Sequence, residues 1–209
     1  MSVAVVEYGA GNLGSVVHGC RRAGGEPIVV TNGAELRANT WSHIVLPGVG
    51  AIGVALRNLH QRGLDDALAA CVFDQGIPFL GICVGMQMLA EECEEFGTHR
   101  GLGWIPGDVT PITPTDASFK IPHMGWNQLI LPKFHHPVFE GLSPNVHGYF
   151  AHSFVMQCGI FSDVIASADY GGIITAAVGR DNMVGTQFHP EKSQSSGIKI
   201  LCNFIKWAP

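Results

Sequence analysis

Residues 1–90 alternate short apolar runs with stretches in which apolar side chains recur every three or four positions. The runs carry no charge, as expected of strands buried on both faces of a parallel sheet, and the recurring pattern predicts helices that pack on that sheet. Such alternation favours right-handed crossovers and an α/β fold. The predicted strands are 3–6, 27–30, 43–46 and 78–80, and the predicted helices bury Leu13, Val16, Val17 and Cys20, then Ile52, Ala55, Leu56 and Leu59, then Leu64, Ala67, Leu68 and Cys71.

The pattern changes after residue 97. Residues 101–155 are rich in Pro and Gly and hold short β-like runs, which indicates hairpins and loops rather than further strand–helix units. More apolar runs follow and predict strands, and a final amphipathic pattern predicts a helix from about Ser195. The β-like runs are 108–112, 126–131, 149–156, 164–168, 173–178 and 183–187, and the last helix buries Ile198, Leu201, Cys202 and Ile205.

No repeat, linker or low-complexity tract divides the chain, so residues 1–209 are predicted to form a single domain. We expect three layers, with helices on the faces of a central, mostly parallel sheet and with β-hairpins added to it. In such a sheet ligands bind beyond the carboxyl ends of the strands. The loops at 8–12, 47–50 and 83–85 all follow predicted strands, and we expect the site among them.

The composition argues against several classes of protein. Apolar residues make up 46% of the chain and charged residues 14%, which supplies a core and opposes disorder. The net charge of -5, without a Lys/Arg cluster, opposes a nucleic-acid partner. No secretory signal and no apolar run of membrane-spanning length are present, so we expect a cytoplasmic protein without membrane association. The six Cys show no C-x-x-C and no zinc spacing, and although their even number allows disulfides, the absence of a secretory signal favours reduced thiols.

Cys83 stands at the corner between the strand that starts at Pro78 and a predicted helix over Val84–Glu95. Gly81 and Gly85 flank it two residues away on either side, so the segment reads G-x-C-x-G, a nucleophile elbow with Cys in place of Ser. Such a turn is strained and needs neighbours almost free of side chains, and a helix N-terminus favours a thiolate. Free Cys is more often an inert packing residue, but the strand, the glycines and the helix together predict a nucleophile.

A thiol nucleophile needs a base, and the base needs a group that orients it. His189 follows the run MVGTQF and precedes Pro190, which favours an extended backbone at the histidine. Extended residues two apart point to the same side, so Glu191 is predicted to accept from one ring nitrogen while the other nitrogen faces Cys83. The alternative is a strand-end His beside a solvated Glu, and the elbow makes that the weaker interpretation.

The same chemistry needs hydrogen-bond donors for an oxyanion. The backbone N–H of Val84, directly after the nucleophile, is one predicted donor. The other should come from a neighbouring loop, and the segment Gly48, Val49 and Gly50 fits because glycines let a backbone approach a ligand and reorient. On the sequence alone, an ordinary strand-to-helix turn explains these glycines equally well.

A possible dinucleotide fingerprint is set aside. Gly9, Gly11 and Gly14 match G-x-G-x-x-G after a strand. However, the next strand ends in Thr31 and Asn32, where the acidic residue that binds a ribose is expected. The steric needs of a strand-to-helix turn explain the glycines as well, so no cofactor is predicted.

Other ionisable clusters are interpreted as surface features. His135, His136 and His147 lack metal-ligand spacing, so they are expected at the surface and no metal is predicted. The acidic run 91–95 is interpreted as the solvated end of the helix predicted over 84–95. Because carboxylates oppose the dipole at a helix C-terminus, one of them is a candidate for binding a ligand amine.

Taken together, these residues resemble the class I, or triad-type, glutamine amidotransferases. GICVGMQ and FHPEKS look like the parts of the family's Cys-His-Glu triad. Further segments narrow the resemblance to the glutaminase subunit of imidazole glycerol phosphate synthase, of histidine biosynthesis. They are YGAGNLGSV (8–16), LPGVG (46–50), PHMGWN (122–127) and YFAHSF (149–154). The match spans nearly the whole chain in order, and Met86 and the PHMGWN segment fit this subunit better than the anthranilate or CTP synthase amidotransferases.

The resemblance implies a class I glutamine amidotransferase-like (flavodoxin-like) fold and a glutaminase. Cys83 is implied to attack the side-chain amide of L-glutamine, His189 to shuttle protons and Glu191 to orient His189. Ammonia leaves, and water hydrolyses a γ-glutamyl thioester. The Val49 peptide and the Val84 N–H are implied as the oxyanion hole. The implied glutamine contacts are Gly48, Gly50, Gln87, Glu95, His152, Ser153 and Phe154.

The resemblance also implies a partner. Ammonia is expected to pass into the (β/α)8-barrel cyclase subunit of a heterodimer, which makes imidazole glycerol phosphate and releases aminoimidazole carboxamide ribotide. Asn12, Met124 and Trp126 match positions expected near that interface. Because unregulated hydrolysis wastes glutamine, we expect a nearly idle isolated chain, with a peptide flip in 48–50 completing the oxyanion hole when the partner is engaged.

Three alternatives stay open at this point: a glutaminase subunit of another amidotransferase, a non-catalytic binding subunit on the same fold, and a free-standing Cys hydrolase. The complete set of Cys83, His189 and Glu191 opposes the second, and the PHMGWN and YFAHSF segments oppose the third. Phe154 replaces a Tyr that is commoner in the family, so only a backbone role is expected there.

Overall fold

Thirteen strands and six α-helices make up the part of the chain that the computed structural model describes, residues 1–116, 118–133 and 135–209. The strands are β1 (Ser2–Val6), β2 (Glu26–Val30), β3 (His43–Gly48), β4 (Phe79–Cys83), β5 (Glu92–Glu94), β6 (Thr98–Arg100), β7 (Gly107–Pro111), β8 (His123–Gln128), β9 (His147–His152), β10 (Phe154–Cys158), β11 (Val164–Asp169), β12 (Ile173–Arg180) and β13 (Met183–Thr186). The helices are α1 (Leu13–Arg22), α2 (Gly33–Arg37), α3 (Ile52–Gln61), α4 (Leu64–Ala69), which continues as a π-helical turn over Ala70–Asp74, α5 (Val84–Gln87) and α6 (Gln194–Lys206).

Seven of the described strands form a central sheet in the order β11-β12-β13-β4-β3-β1-β2. Every pair from β2 to β13 is parallel, and β12 and β11 extend the sheet in antiparallel fashion. The chain moves from β1 to β2 on one side and returns to β3 on the other, so the strand order reverses at β1. Ligand crevices form beyond the carboxyl ends of strands at such reversals. Gly48 and Cys83 lie at those ends.

The apolar runs form the inner strands because both of their faces are covered. All residues of β3, β4 and β13 are buried. Helix α1 packs against α6, and α2, α3 and α4 pack together. Most positions on the predicted helix faces are buried, but Leu13, Val17, Leu56, Ile198 and Cys202 are only half-buried. In α6, Ile200 and Phe204 fill the buried face. The predicted α/β fold with a mostly parallel sheet is confirmed.

The region after residue 97 forms the predicted hairpins, with two corrections. The strand predicted over 126–131 lies earlier in the chain, because β8 spans His123–Gln128 in register with β9. Strands β10, β7, β5 and β6 make a second sheet, and β8 and β9 pair as an antiparallel ribbon. The run predicted as one strand over 149–156 is instead two strands that pair in different sheets. The break falls at Ser153, whose carbonyl oxygen accepts from the N–H of Ile112 at 2.9 Å. This break lets the chain pass along the site between the two sheets.

The helix predicted over Val84–Glu95 is wrong beyond Gln87. The carbonyl oxygens of Met88, Leu89 and Ala90 accept from N–H groups of residues 102–105 rather than from a continuing helix. Residues 92–94 then form β5, with the Cys93 side chain buried and its two glutamate neighbours exposed. That alternation is the strand period of two, which the acidic composition of the run had concealed. The acidic run 91–95 is therefore not a helix end.

His136 is also misassigned by the sequence, because it is half-buried rather than at the surface. Its ring stacks edge-on against Trp207 at 4.7 Å between centroids, and its Nδ1 accepts from the N–H of Val138 at 3.3 Å. Burial lowers the pKa of His136 to about 4. His135 and His147 are exposed, as predicted.

His136 is expected to make the fold sensitive to acid. Between its unfolded pKa of about 6.5 and its folded value, the unfolded chain binds more protons, so stability falls as the pH falls through that window. His136→Gln should therefore reduce the stability lost between neutral pH and about pH 5 by about 1 kcal/mol, after allowing for the partial exposure of the ring. Urea unfolding at both pH values measures this. The exposed His147→Gln serves as the control, and an equal loss in both variants would contradict the assignment.

Candidate active site

Cys83 occupies the strained corner that the sequence predicts. It ends β4 with φ 55 and ψ -110, a conformation that a residue with a side chain rarely adopts. Side chains on either flanking glycine would collide with backbone, because a Cβ on Gly81 would lie 2.6 Å from the Gly85 carbonyl oxygen and a Cβ on Gly85 would overlap that of Leu46. The elbow is thus confirmed. The helix α5 that follows is a single turn, so it places no long helix dipole at the sulfur.

His189 and Glu191 form the contact predicted from their spacing. His189 has an extended backbone, and its Nδ1 lies 2.8 Å from Oε1 of Glu191. Both side chains are almost completely buried, with 3% and 2% of their surface exposed. The loop is held in place because the N–H of His189 donates to Tyr149 and its carbonyl oxygen accepts from the Ser193 hydroxyl. The Nε2 atom is left to face Cys83.

The charge state of His189 follows from its neighbours. Burial alone disfavours the imidazolium, but hydrogen bonds and charge interactions with Cys83 and Glu191 outweigh it and raise the pKa of His189 to about 9. The ring is therefore protonated near neutral pH and can give a proton to a leaving group. The second oxygen of Glu191, Oε2, is buried without a hydrogen-bond partner, so the carboxylate depends on His189 for its compensation.

The segment Gly48 to Gly50 lies directly beside the elbow. Gly48 pairs with Cys83 in the register of β3 and β4. A Cβ at Gly48 would lie 2.6 Å from the Tyr8 hydroxyl oxygen and 2.8 Å from the Gly85 nitrogen, so only glycine fits. Gly50 has φ +89, which gives the peptide after Val49 a sharp turn.

Tyr8 holds the start of the segment Gly48 to Gly50 in place, a role that the sequence did not reveal. Its hydroxyl donates to the carbonyl oxygen of Pro47 at 2.8 Å, and the side chain is fully buried. Burial, and secondarily the charge of Cys83, raise the pKa of Tyr8 well above its usual range, so the phenol stays a donor. Its position two residues after β1, beside the glycine-rich turn, is the sequence signal for it.

A cavity of about 410 Å³ opens above Cys83 and collects most of the predicted ligand contacts. Cys83, Val84 and His189 line it together with Val49 and Gly50. Gly48, also predicted as a glutamine contact, does not line the cavity and lies beside Cys83 in the neighbouring strand. The other predicted residues that line the cavity are Gln87, Glu95, Met124, His152, Ser153 and Phe154.

Three of these residues have defined hydrogen-bond roles. Oε2 of Glu95 accepts from the N–H of Ile52 at the start of α3, at 2.6 Å, which holds the carboxylate at the cavity wall. Nε2 of Gln87 donates to the carbonyl oxygen of Phe154 at 3.2 Å and to Oε1 of Gln187 at 3.0 Å. Phe154 therefore takes part through its backbone carbonyl oxygen, which agrees with the backbone role expected from the sequence.

His152 belongs to a buried chain of donors and acceptors. Its Nδ1 lies 2.8 Å from the Phe154 carbonyl oxygen, and its Nε2 lies 2.8 Å from Nδ1 of His123. The amide of Asn127 approaches Nε2 of His123 at 3.3 Å. Because a carbonyl oxygen only accepts, His152 carries its proton on Nδ1 and accepts from His123. Burial is the largest cause that lowers the pKa of both His123 and His152 to about 4, so both rings are neutral.

The residues predicted for the partner interface are exposed. Met124 and Trp126 of β8 have 64% and 48% of their surface accessible, and Asn12, which precedes α1, is exposed as well. Met124 also lines the cavity, so this face adjoins the site. A Cβ placed on Gly11 would lie 3.8 Å from Pro47 and 4.0 Å from the Gly48 nitrogen, so the loop of Asn12 runs close to the candidate oxyanion segment.

Comparison with known proteins identifies the family. The family model "Glutamine amidotransferase class-I" matches residues 4–207. Proteins named "Imidazole glycerol phosphate synthase subunit HisH" from Rhodospirillum rubrum and Brucella abortus are 46% and 48% identical, with the whole of both chains covered. The Zymomonas mobilis protein of that name is 46% identical over 100% of this chain and 97% of its own. The chain belongs to the HisH family of class I glutamine amidotransferases.

Solved structures agree with this at the level of the fold. A structure titled "Crystal structure of glutamine amidotransferase" aligns with TM-score 0.73 at 18% identity, over 98% of this chain and 99% of the other. The structure of PurLQS from Thermotoga maritima aligns with TM-score 0.74 at 20% identity, over 98% of this chain and 97% of the other.

The structure of this HisH-family chain adds one polar residue at the nucleophile that the sequence reasoning missed. Gln187 is fully buried directly after β13, and its Nε2 lies 3.7 Å from the Cys83 sulfur. The signal was present, because the period of an extended chain places residues 187, 189 and 191 on the same side. Among the described residues, no group of His, Cys, Asp and Glu is arranged to hold a metal, and no helix is long and apolar enough to cross a membrane.

Proposed function

We propose that this chain is the glutaminase subunit of imidazole glycerol phosphate synthase and hydrolyses L-glutamine to glutamate and ammonia through a thioester on Cys83. The observation that carries the proposal is the buried set of Cys83, His189 and Glu191 at a strained elbow, in a chain 46% to 48% identical to HisH subunits over its full length. The intact set favours this function over a non-catalytic binding subunit. The full-length identity to HisH subunits favours it over another amidotransferase or a free-standing hydrolase.

In the proposed acylation step, the Cys83 thiolate attacks the side-chain carbonyl carbon of glutamine. The oxyanion accepts from the Val84 N–H and from the peptide at Val49, and the tetrahedral intermediate collapses as the C–N bond breaks. His189, protonated near neutral pH, gives its Nε2 proton to the departing nitrogen, which leaves as ammonia. The now neutral ring is ready to act as a base.

In the proposed deacylation step, His189 takes a proton from water, which attacks the thioester carbonyl carbon. The C–S bond breaks, the sulfur leaves with the electron pair as a thiolate, and glutamate is released. The imidazolium that remains restores the starting state. Glu191 keeps the ring oriented through both steps because its Oε1 holds Nδ1 at 2.8 Å.

We propose that glutamine is recognised by the polar cavity wall. Glu95 has a carboxylate fixed by Ile52 and suits the α-ammonium group of the substrate. Gln87 has both donor contacts occupied, so its Oε1 is the atom that accepts from the ligand. His152, Ser153 and Phe154 complete the wall at the break between β9 and β10.

We propose that ammonia passes to a (β/α)8-barrel cyclase subunit, which forms imidazole glycerol phosphate and aminoimidazole carboxamide ribotide. The exposed Met124 and Trp126, with Asn12, suit a protein interface because apolar and aromatic side chains are enriched in interface cores. Partner binding at this face can reach the oxyanion segment because the loop of Gly11 and Asn12 runs close to Pro47 and Gly48. The experiment is a glutaminase assay with and without the cyclase.

Gly48→Ala tests whether the oxyanion segment is set by close packing. The added methyl group would meet Tyr8, Gly85 and Val84 at 2.6 to 2.9 Å, so the strand must shift. We expect a loss of stability of about 1–3 kcal/mol from overpacking. We also expect at least a tenfold loss of kcat/KM, of the order seen when one oxyanion donor is misplaced. Chemical denaturation and steady-state kinetics in the complex measure these effects.

Gly14→Ala is the matched control for that substitution, because a Cβ there meets nothing within 4 Å. It should keep wild-type kinetics and be no less stable than wild type, since alanine favours helices. Wild-type kcat/KM in Gly48→Ala would contradict the proposed oxyanion segment.

A further inference from the structure

The Cys83 sulfur has a second neighbour besides His189, the side-chain amide of Gln187. Gln187 is fully buried, does not line the cavity, and sits 3.7 Å from the sulfur through Nε2. It therefore contacts the nucleophile from the protein side and does not contact substrate. The mechanism above makes no use of it.

The orientation of this amide follows from its partners. The carbonyl oxygen of Phe154 can only accept, so Gln87 must present its NH₂ group there. The same Nε2 atom of Gln87 reaches Oε1 of Gln187 at 3.0 Å, which fixes that oxygen on the side away from the sulfur. Gln187 is left with its NH₂ group toward Cys83. The Phe154 carbonyl oxygen thus fixes the direction of all three hydrogen bonds, and the last donor, the Gln187 amide, points at the Cys83 sulfur.

We propose that Gln187 is a catalytic residue whose side-chain amide donates a hydrogen bond to the Cys83 sulfur and stabilises the thiolate. This inference rests on the proposed glutaminase function and deepens it. The thiolate exists before attack on glutamine and again when the C–S bond of the thioester breaks, and the donor acts at both points. Unlike His189, the amide never gives up its proton, so it remains a donor throughout the cycle.

The structure also suggests how to remove the donor with little disturbance. Gln187→Met replaces the amide with a side chain of similar length, and Gln87 still donates to Phe154 after the change. Thr186→Val is the matched control. Thr186 is the preceding residue, is fully buried, and its Oγ1 has no hydrogen-bond partner, so the isosteric change removes no contact.

The test is alkylation of the full-length chain by iodoacetamide across a pH series, read at the Cys83 peptide by mass spectrometry. In Gln187→Met we expect the midpoint of the alkylation profile to move up by about one pH unit and the rate at neutral pH to fall about tenfold, as for a lost hydrogen bond to a charged group. The kcat/KM for glutamine in the complex should fall by a similar factor, while Thr186→Val stays at wild type.

Each outcome decides one question. A wild-type midpoint in Gln187→Met, even with reduced turnover, would leave Gln187 a packing residue and overturn the inference. Failure of Cys83 to react in the wild-type chain would instead contradict the proposed glutaminase. If Gln187→Met is insoluble, Gln187→Leu tests the same point, because leucine also offers no donor to the sulfur and suits a buried position. A wild-type midpoint there would likewise overturn the inference.

Discussion

Cys83→Ala is expected to abolish glutamine hydrolysis and to leave ammonia-dependent ring closure by the complex intact. The loss should reach the assay floor, on the order of 10⁴-fold or more, because the thioester cannot form. The substitution removes only a sulfur atom at a residue that is 4% exposed, so the interface residues keep their positions. Glutamine-dependent and ammonia-dependent synthesis are measured on the same preparation.

Two controls separate chemistry from folding in that experiment. Cys158→Ala removes another thiol outside the cavity lining and should retain full activity. Thermal melting of Cys83→Ala should stay close to that of wild type, since alanine keeps the Cβ and the backbone conformation of the corner and removes only the contacts of His189 and Gln187 with the sulfur. Loss of both the glutamine and the ammonia reactions would contradict the proposed division of roles.

His189→Ala and Glu191→Gln are expected to reduce turnover by clearly different amounts. His189 moves a proton in both steps, and its removal should lower kcat on the order of 10⁴-fold. Glu191→Gln keeps an oxygen that can accept from Nδ1, so the ring stays oriented while the charge is lost. We expect a loss about ten to a hundred times smaller, because an orienting residue contributes less than the base it orients.

The comparison of these two variants has its own internal check. Without the carboxylate, the imidazolium loses one of the interactions that raise the pKa of His189, so the alkaline limb of the kcat/KM profile should move to lower pH. A merely structural Glu191 would lower activity equally at every pH. Equal losses in the two variants, or a larger loss in Glu191→Gln, would count against the assignment.

The parts of the site that depend on local chain geometry could be predicted from the sequence. The elbow requires residues without side chains at positions 81 and 85, and the sequence has glycine at both. The contact of His189 with Glu191 follows from the period of an extended chain and from Pro190. The central sheet followed from uncharged apolar runs, because only strands buried on both faces tolerate them.

The parts that depend on distant segments could not be predicted. The helix after Cys83 stops at Gln87 because residues 102–105 donate to the carbonyl oxygens that the next turn would need. The hydroxyl of Tyr8 donates to the carbonyl oxygen of Pro47, which is 39 residues away in the sequence, and no local pattern reveals that contact. The pairing of His123 with His152 likewise arises only when β8 and β9 align. In each case a tertiary contact overrides or supplements the local pattern.

Glutaminase activity of the purified chain, measured alone and with the cyclase subunit and its ribonucleotide ligand, tests the central claim most directly. We predict little hydrolysis by the isolated chain and a rise of about 100-fold or more in the complex, as expected when a partner completes the oxyanion hole. The rise should be absent in Cys83→Ala. Substantial hydrolysis that does not change when the cyclase and its ligand are added would contradict the account.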